Sequence, residues 1–92
     1  MILKNKLKEY MKNYNINQKE LASLLDVSQS HLSKVLKGKK SPGAKVADAY
    51  FRLPGILESK KINDLRELVN TLFLNEEINE ETAKRILFVI EP

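Results

Sequence analysis

Cysteine is absent from the 92 residues, which removes disulfides, thiol nucleophiles and cysteine-based zinc sites at once. Tryptophan is absent as well, and histidine occurs once, at His31, so no second imidazole is available for a metal site. The three glycines are scattered, each beside an expected helix end, and form no glycine-rich phosphate cradle. Nor is any carboxylate pair set among apolar residues as acid–base chemistry would require. Catalysis therefore finds little footing, and neither an enzyme nor a cofactor is expected. The longest unbroken apolar run, Ile86 to Ile90, is five residues, against the roughly 20 of a membrane-spanning helix. After Met1 come Lys residues alternating with apolar ones, without a signal core or small-residue cleavage site, so export is not expected and a cytoplasmic location fits. Strand signals are missing too: apolar positions recur every three or four residues rather than every two.

What is present is a globular balance, 42% hydrophobic and 30% charged, of a size for one compact core. The net charge of +4 is unevenly spread. Residues 1–52 hold eleven Lys/Arg against four Asp/Glu, and residues 53–92 hold five against eight, so a basic half of +7 precedes an acidic half of −3. Such a division fits one part that meets a polyanion and another with a different task, although a random scatter of solvating charge gives the same totals.

The chain reads as all-α. Leu3, Leu7, Tyr10, Met11 and Tyr14 keep the spacing of a first amphipathic helix, stopped by the Asn-rich "NYNIN". Asn17 is placed to cap a second helix, with Glu20 three residues on to close a capping box, and Leu21, Ala22, Leu24 and Leu25 as its buried stripe. Ser28 caps a third helix, with Val27 stapled onto Leu32, and Gly38 ends it. Pro42 opens a fourth helix from about Gly43 to Arg52, closed by Pro54-Gly55. Beyond it, Ile62, Leu65, Leu68, Val69, Leu72 and Phe73 mark a broad apolar helix face, and Asn79, followed by Glu80 and Glu81, caps a last helix ending in Ile86 to Ile90. The expected organisation is residues 1–53 as one unit and 54–92 as a helical C-terminal segment.

At 100° per residue the third helix gathers Leu32, Val35 and Leu36 on one side and Ser30, Lys34 and Lys37 on the other, flanked by Ser33, Gln29 and His31. A helix pinned by three aliphatics thus presents a short basic strip of hydrogen-bonding side chains. The DNA major groove, about 12 Å wide, admits one helix, and its base edges match such groups. Gln29 can pair with adenine, Lys34 can donate to guanine, and Ser30 and Ser33 can serve either. Taken alone, mere solvation of an exposed face is the stronger reading.

The spacing of "QKELASLLDVSQSHLSKVLKG" alters that balance. Apolar residues at Leu21, Leu25, Val27, Leu32 and Val35, with Ala22 at the tight helix crossing, Gln18 at the start, Gly38 after the last helix and a basic loop with Pro42, resemble the Xre and phage-repressor (Cro-like, lambda-repressor-like) helix-turn-helix family. The resemblance covers residues 3–53 and departs at two places. Asp26 stands in the turn where the family usually has Gly, and Asp tolerates the left-handed conformation better than most residues. Met11 and Leu36 stand where many relatives carry a charged pair, which an apolar contact can replace.

The resemblance implies a lambda-repressor-like bundle of about four to five helices with a C-terminal helical extension, and a double-stranded DNA-binding transcriptional regulator. It points to Gln29, Ser30, Ser33 and Lys34 as base readers, with Gln18, Lys37, Lys39, Lys40, Ser41 and Lys45 on phosphates. About five phosphates neutralised per protomer gives a dimer a log–log salt slope near −9.

A single such module covers only roughly 600–1,000 Å². The C-terminal apolar residues Leu65, Leu68, Val69, Leu72, Phe73, Ile86, Leu87 and Ile90 are accordingly expected to make a homodimer spanning a pseudo-palindromic operator. Completing the monomer's own core is the competing reading, of nearly equal weight. A further alternative is an antitoxin or adaptor whose acidic segment holds a protein partner such as a toxin or antirepressor. Glu76, Glu77, Glu80 and Glu81 lack the spacing and Gly of a calcium loop, and read as helix-start charge.

Overall fold

A computed structural model describes residues 1–59 and 61–91. Among them the chain forms seven helices and no strand: α1 (Ile2–Tyr14), α2 (Gln18–Leu25), α3 (Gln29–Leu36), α4 (Gly43–Tyr50), α5 (Ile56–Ser59), α6 (Ile62–Leu74) and α7 (Glu80–Ile90). Helices α2, α3 and α4 have only eight residues each. Asn15 closes α1 in the left-handed region, and its neighbour Ile16 donates back to the Met11 carbonyl at 3.0 Å. At α2 the Asn17 side chain accepts from the Glu20 amide at 2.8 Å, while the Glu20 carboxylate accepts from the Asn17 amide at 3.2 Å, completing the expected capping box.

Asp26 takes φ 56° and ψ 47°, so the turn between α2 and α3 does use the left-handed conformation expected of it. Ser28 then caps α3, its Oγ accepting from the His31 amide at 3.0 Å. The end of α3 is a Schellman motif: Gly38, at φ 75°, donates to the Val35 carbonyl and Lys39 to that of Lys34. Buried Leu21, Ala22 and Leu25 of α2, Leu32, Val35 and Leu36 of α3, and Leu3, Leu7 and Tyr10 of α1 form a common core, with Met11 packed against it. Leu24 departs from expectation and is exposed at 46%. Leu21, Leu25 and Ala22 occupy one arc of this eight-residue helix, and Leu24 falls just outside it.

Helix α4 stops at Tyr50, two residues before the expected end, and Phe51 and Leu53 turn inward. The Tyr10 hydroxyl donates to the Pro54 carbonyl at 2.8 Å, holding this turn against α1. Gly55 takes φ 88°, a backbone that favours glycine, and a Cβ there would overlap the Tyr14 hydroxyl and force that exposed ring to move.

Helices α6 and α7 form a hairpin whose second arm packs on α4. Leu65, Val69 and Leu72 of α6 and Thr82, Ile86 and Ile90 of α7 are buried. Their apolar members belong to the same core cluster as the first four helices. Five of the eight residues expected at a dimer contact, Leu65, Val69, Leu72, Ile86 and Ile90, thus close the chain's own interior; Leu68 and Leu87 are half-buried and Phe73 is exposed. A Cα radius of gyration of 12.3 Å agrees with one compact body of this length, about 12 Å. The hairpin's turn also reaches across the molecule: the Glu77 carboxylate accepts from the amides of Ile2 at 2.7 Å and Leu3 at 2.9 Å, capping the first turn of α1.

Candidate nucleic-acid interface

Helix α3 is held by its aliphatic side, and the opposite side is open. Gln29, Ser30, Lys34 and Lys37 are exposed, and Ser33 is half-buried at the edge of the strip. Ser30 and Lys34 are both exposed to solvent in the folded chain. Lys34, Lys37, Lys39 and Lys40 have no carboxylate within 4.0 Å among the described residues, so their charge is available to a polyanion.

The flanks are polar and basic as well. Gln18 is exposed in the first turn of α2, and Lys39, Lys40 and Ser41 are exposed in the loop after α3. Lys45, on the first turn of α4, stands 3.9 Å from Asp26 in the α2–α3 turn, with both side chains largely solvent-exposed. An ion pair this open is worth little and yields readily to a phosphate. His31 is half-buried and lines, with Asp26, Ser28, Pro42, Gly43, Ala44 and Lys45, a cleft between the start of α3 and the start of α4. Gly43 takes φ 80° there, and both Gly43 and Ala44 are exposed at the helix entrance.

Lys4 was not foreseen at this surface. Its Nζ lies 3.6 Å from where a Cβ on Gly38 would stand, at the C-terminal end of α3. Periodicity places Lys4 on the first helix without saying what that helix crosses, so no local signal could have found it. Among the described residues no group of three or more His, Asp or Glu is placed to hold a metal ion. No helix among them is long and apolar enough to cross a membrane.

A family model described as helix-turn-helix matches residues 7–58, more than half of the chain. The chain belongs to the Xre and phage-repressor helix-turn-helix family. That family consists of DNA-binding transcription regulators. No match was found among curated proteins or among solved structures. The matched segment ends inside α5, so helices α6 and α7 fall outside it.

Proposed function

We propose that the protein is a sequence-specific double-stranded DNA-binding repressor that occupies a pseudo-palindromic operator as a homodimer. The observation that carries the reading is the division of α3 into a buried aliphatic side, Leu32, Val35 and Leu36, and an uncovered side bearing Gln29, Ser30 and Lys34. Gln29 and Lys34 have the donor and acceptor geometry for adenine and guanine edges, and the Ser30 and Ser33 hydroxyls add contacts that suit either base. Gln18, Lys37, Lys39, Lys40, Ser41 and Lys45 flank them as phosphate contacts that set register.

With most of the hairpin's aliphatics used internally, its outward apolar residues are Ile62, Phe73, Leu74 and Phe88, and Leu68 and Leu87 are half-buried. A cleft between α6 and α7 lined by Val69, Phe73, Ala83 and Leu87 lies on the same hairpin. This is the surface for the second protomer. The same exposed aromatics also favour a second reading, capture of a protein partner by an antitoxin-like or adaptor protein.

Selection of bound sequences from a random duplex library tests the main reading, a recovered pair of related half-sites being the expected result. Replacing Gln29 and Lys34 together with Ala should cost about 2–6 kcal/mol of operator affinity, at roughly 1–3 kcal/mol per lost base contact. Undiminished binding by that double variant would remove α3 from the base-reading role. Equilibrium ultracentrifugation over a dilution series tests the dimer, and a monomer mass at every concentration, free and on DNA, refutes it.

A further inference from the structure

Two contacts involve the start of α1. Lys4 places its ammonium beside Gly38, between Lys37 and Lys39 in the chain. Among the described residues Lys4 has no carboxylate within 4.0 Å, and the same holds for Lys37, Lys39 and Lys40. Among the described residues, then, four lysines at, just after or beside the C-terminal end of α3 are in no ion pair, while at the other end Lys45 lies near Asp26. A helix C-terminus attracts a cation. Here, however, the Lys34 and Val35 carbonyls already accept the amides of Lys39 and Gly38, so the helix end alone does not account for the accumulation.

The second contact is Glu77. Its carboxylate, from the turn of the C-terminal hairpin, holds the amides of Ile2 and Leu3, immediately before Lys4. These are two of the four amides that a helix start leaves without partners, and a carboxylate is the strongest acceptor available for them. The first turn of α1 is thereby tied to a segment outside the family-matched residues.

We propose that Lys4 is a DNA phosphate contact and that Glu77 is its positioning residue, so that the hairpin tunes the strength of DNA binding without touching DNA. The proposal rests on the DNA-binding reading above. A duplex whose major groove receives α3 brings a phosphate strand past each end of that helix. At its C-terminal end the strand meets Lys4 beside the basic loop. A contact of this kind adds affinity and salt dependence and carries no base preference.

The test uses the full chain and a duplex obtained by selection with the wild-type protein, titrated by fluorescence anisotropy between 50 and 200 mM salt. Lys4→Gln should lower the magnitude of the log–log salt slope by about 0.9 per protomer and weaken binding roughly fivefold per protomer near 0.15 M salt. Lys4→Arg should keep the slope, and the motif recovered by selection should be the same in all three proteins. Glu77→Gln should weaken binding in the wild-type background and have no further effect in the Lys4→Gln background. An unchanged slope in Lys4→Gln overturns the phosphate contact. Equal effects of Glu77→Gln in both backgrounds overturn its positioning role, since a loss of general stability would act without regard to Lys4. Failure of the wild-type chain to bind any duplex brings down the DNA-binding reading itself and this proposal with it.

Discussion

The α2–α3 pair and the α6–α7 hairpin are each two amphipathic helices joined through a non-glycine residue in the left-handed conformation, and each buries its aliphatic side, yet what they leave outside differs. Asp26 makes the first turn at φ 56° and Glu76 contributes to the second at φ 60°. Around Asp26 the uncovered side is polar and basic, with Gln29, Ser30 and Lys34. On the hairpin Phe73, Leu74 and Phe88 stay outside, and the charge around the turn is acidic. Helices of similar amphipathicity thus serve different ends according to what their unburied side carries. The difference also lies in how the ends are held: Asn17 and Ser28 cap α2 and α3 from three residues away, whereas Glu77 caps α1 from 75 residues away.

If the two regions share one core, damage to the hairpin must unfold the DNA-binding helices too. Leu72→Ala should cost about 2–5 kcal/mol, with a single urea transition by both circular dichroism and tyrosine fluorescence. Two separated transitions would divide the molecule into independent units.

Next in size is a pH effect that originates at Tyr50 in α4. Burial, with a smaller contribution from the Glu9 carboxylate and the neighbouring tyrosines, pushes the Tyr50 hydroxyl up to about 12 from the usual 10.0. The unfolded chain releases this proton first, so Tyr50's contribution is intact below pH 10 and stability falls as pH rises from 10 through 12. At about 1.4 kcal/mol per pH unit the loss reaches about 2–3 kcal/mol. Urea titrations at pH 9 and above should show this component vanish in Tyr50→Phe.

Removing a local cap should cost less. Asn17→Ala is expected to lose about 1 kcal/mol by thermal melting, with the hairpin's structure unchanged.

The smallest effects compare the two turns directly. Glu76→Gly should stabilise the protein by up to about 1 kcal/mol, since a left-handed backbone costs an ordinary L-residue roughly that much. Asp26→Gly should gain less, because Asp is better suited to that conformation and Asp26 is within reach of Lys45. The difference appears as unequal shifts in Tm.

Much of the helix-turn-helix half could be read from local spacing, because its signals are short-range. The Asn17–Glu20 box, the Ser28 cap, Gly38 at the end of α3 and Asp26 in the turn each involve residues within a few positions of one another. The inward set Leu21, Ala22, Leu25, Leu32, Val35 and Leu36 followed from a 3.6-residue period. Leu24 did not, since a helix of eight residues presents only a narrow arc to its neighbours and apolarity alone does not say where that arc ends. The apolar hairpin residues were equally legible as apolar, but whether they fill an interior or a partner's surface depends on what lies opposite them. Val46 and Tyr50 on α4 and the neighbouring Phe51, all buried, belong to the core they complete.

Composition and periodicity were enough to specify most of the helices, the local caps at Asn17 and Ser28 and an exposed polar strip on α3, because each depends on interactions within one or two helical turns. Long-range assembly chose the rest: the hairpin's aliphatics inside the common core, Glu77 on the first amides of α1, and Lys4 beside Gly38. Those arrangements join residues tens of positions apart, and their energy comes from burial and hydrogen bonding that exist only once all the helices have come together.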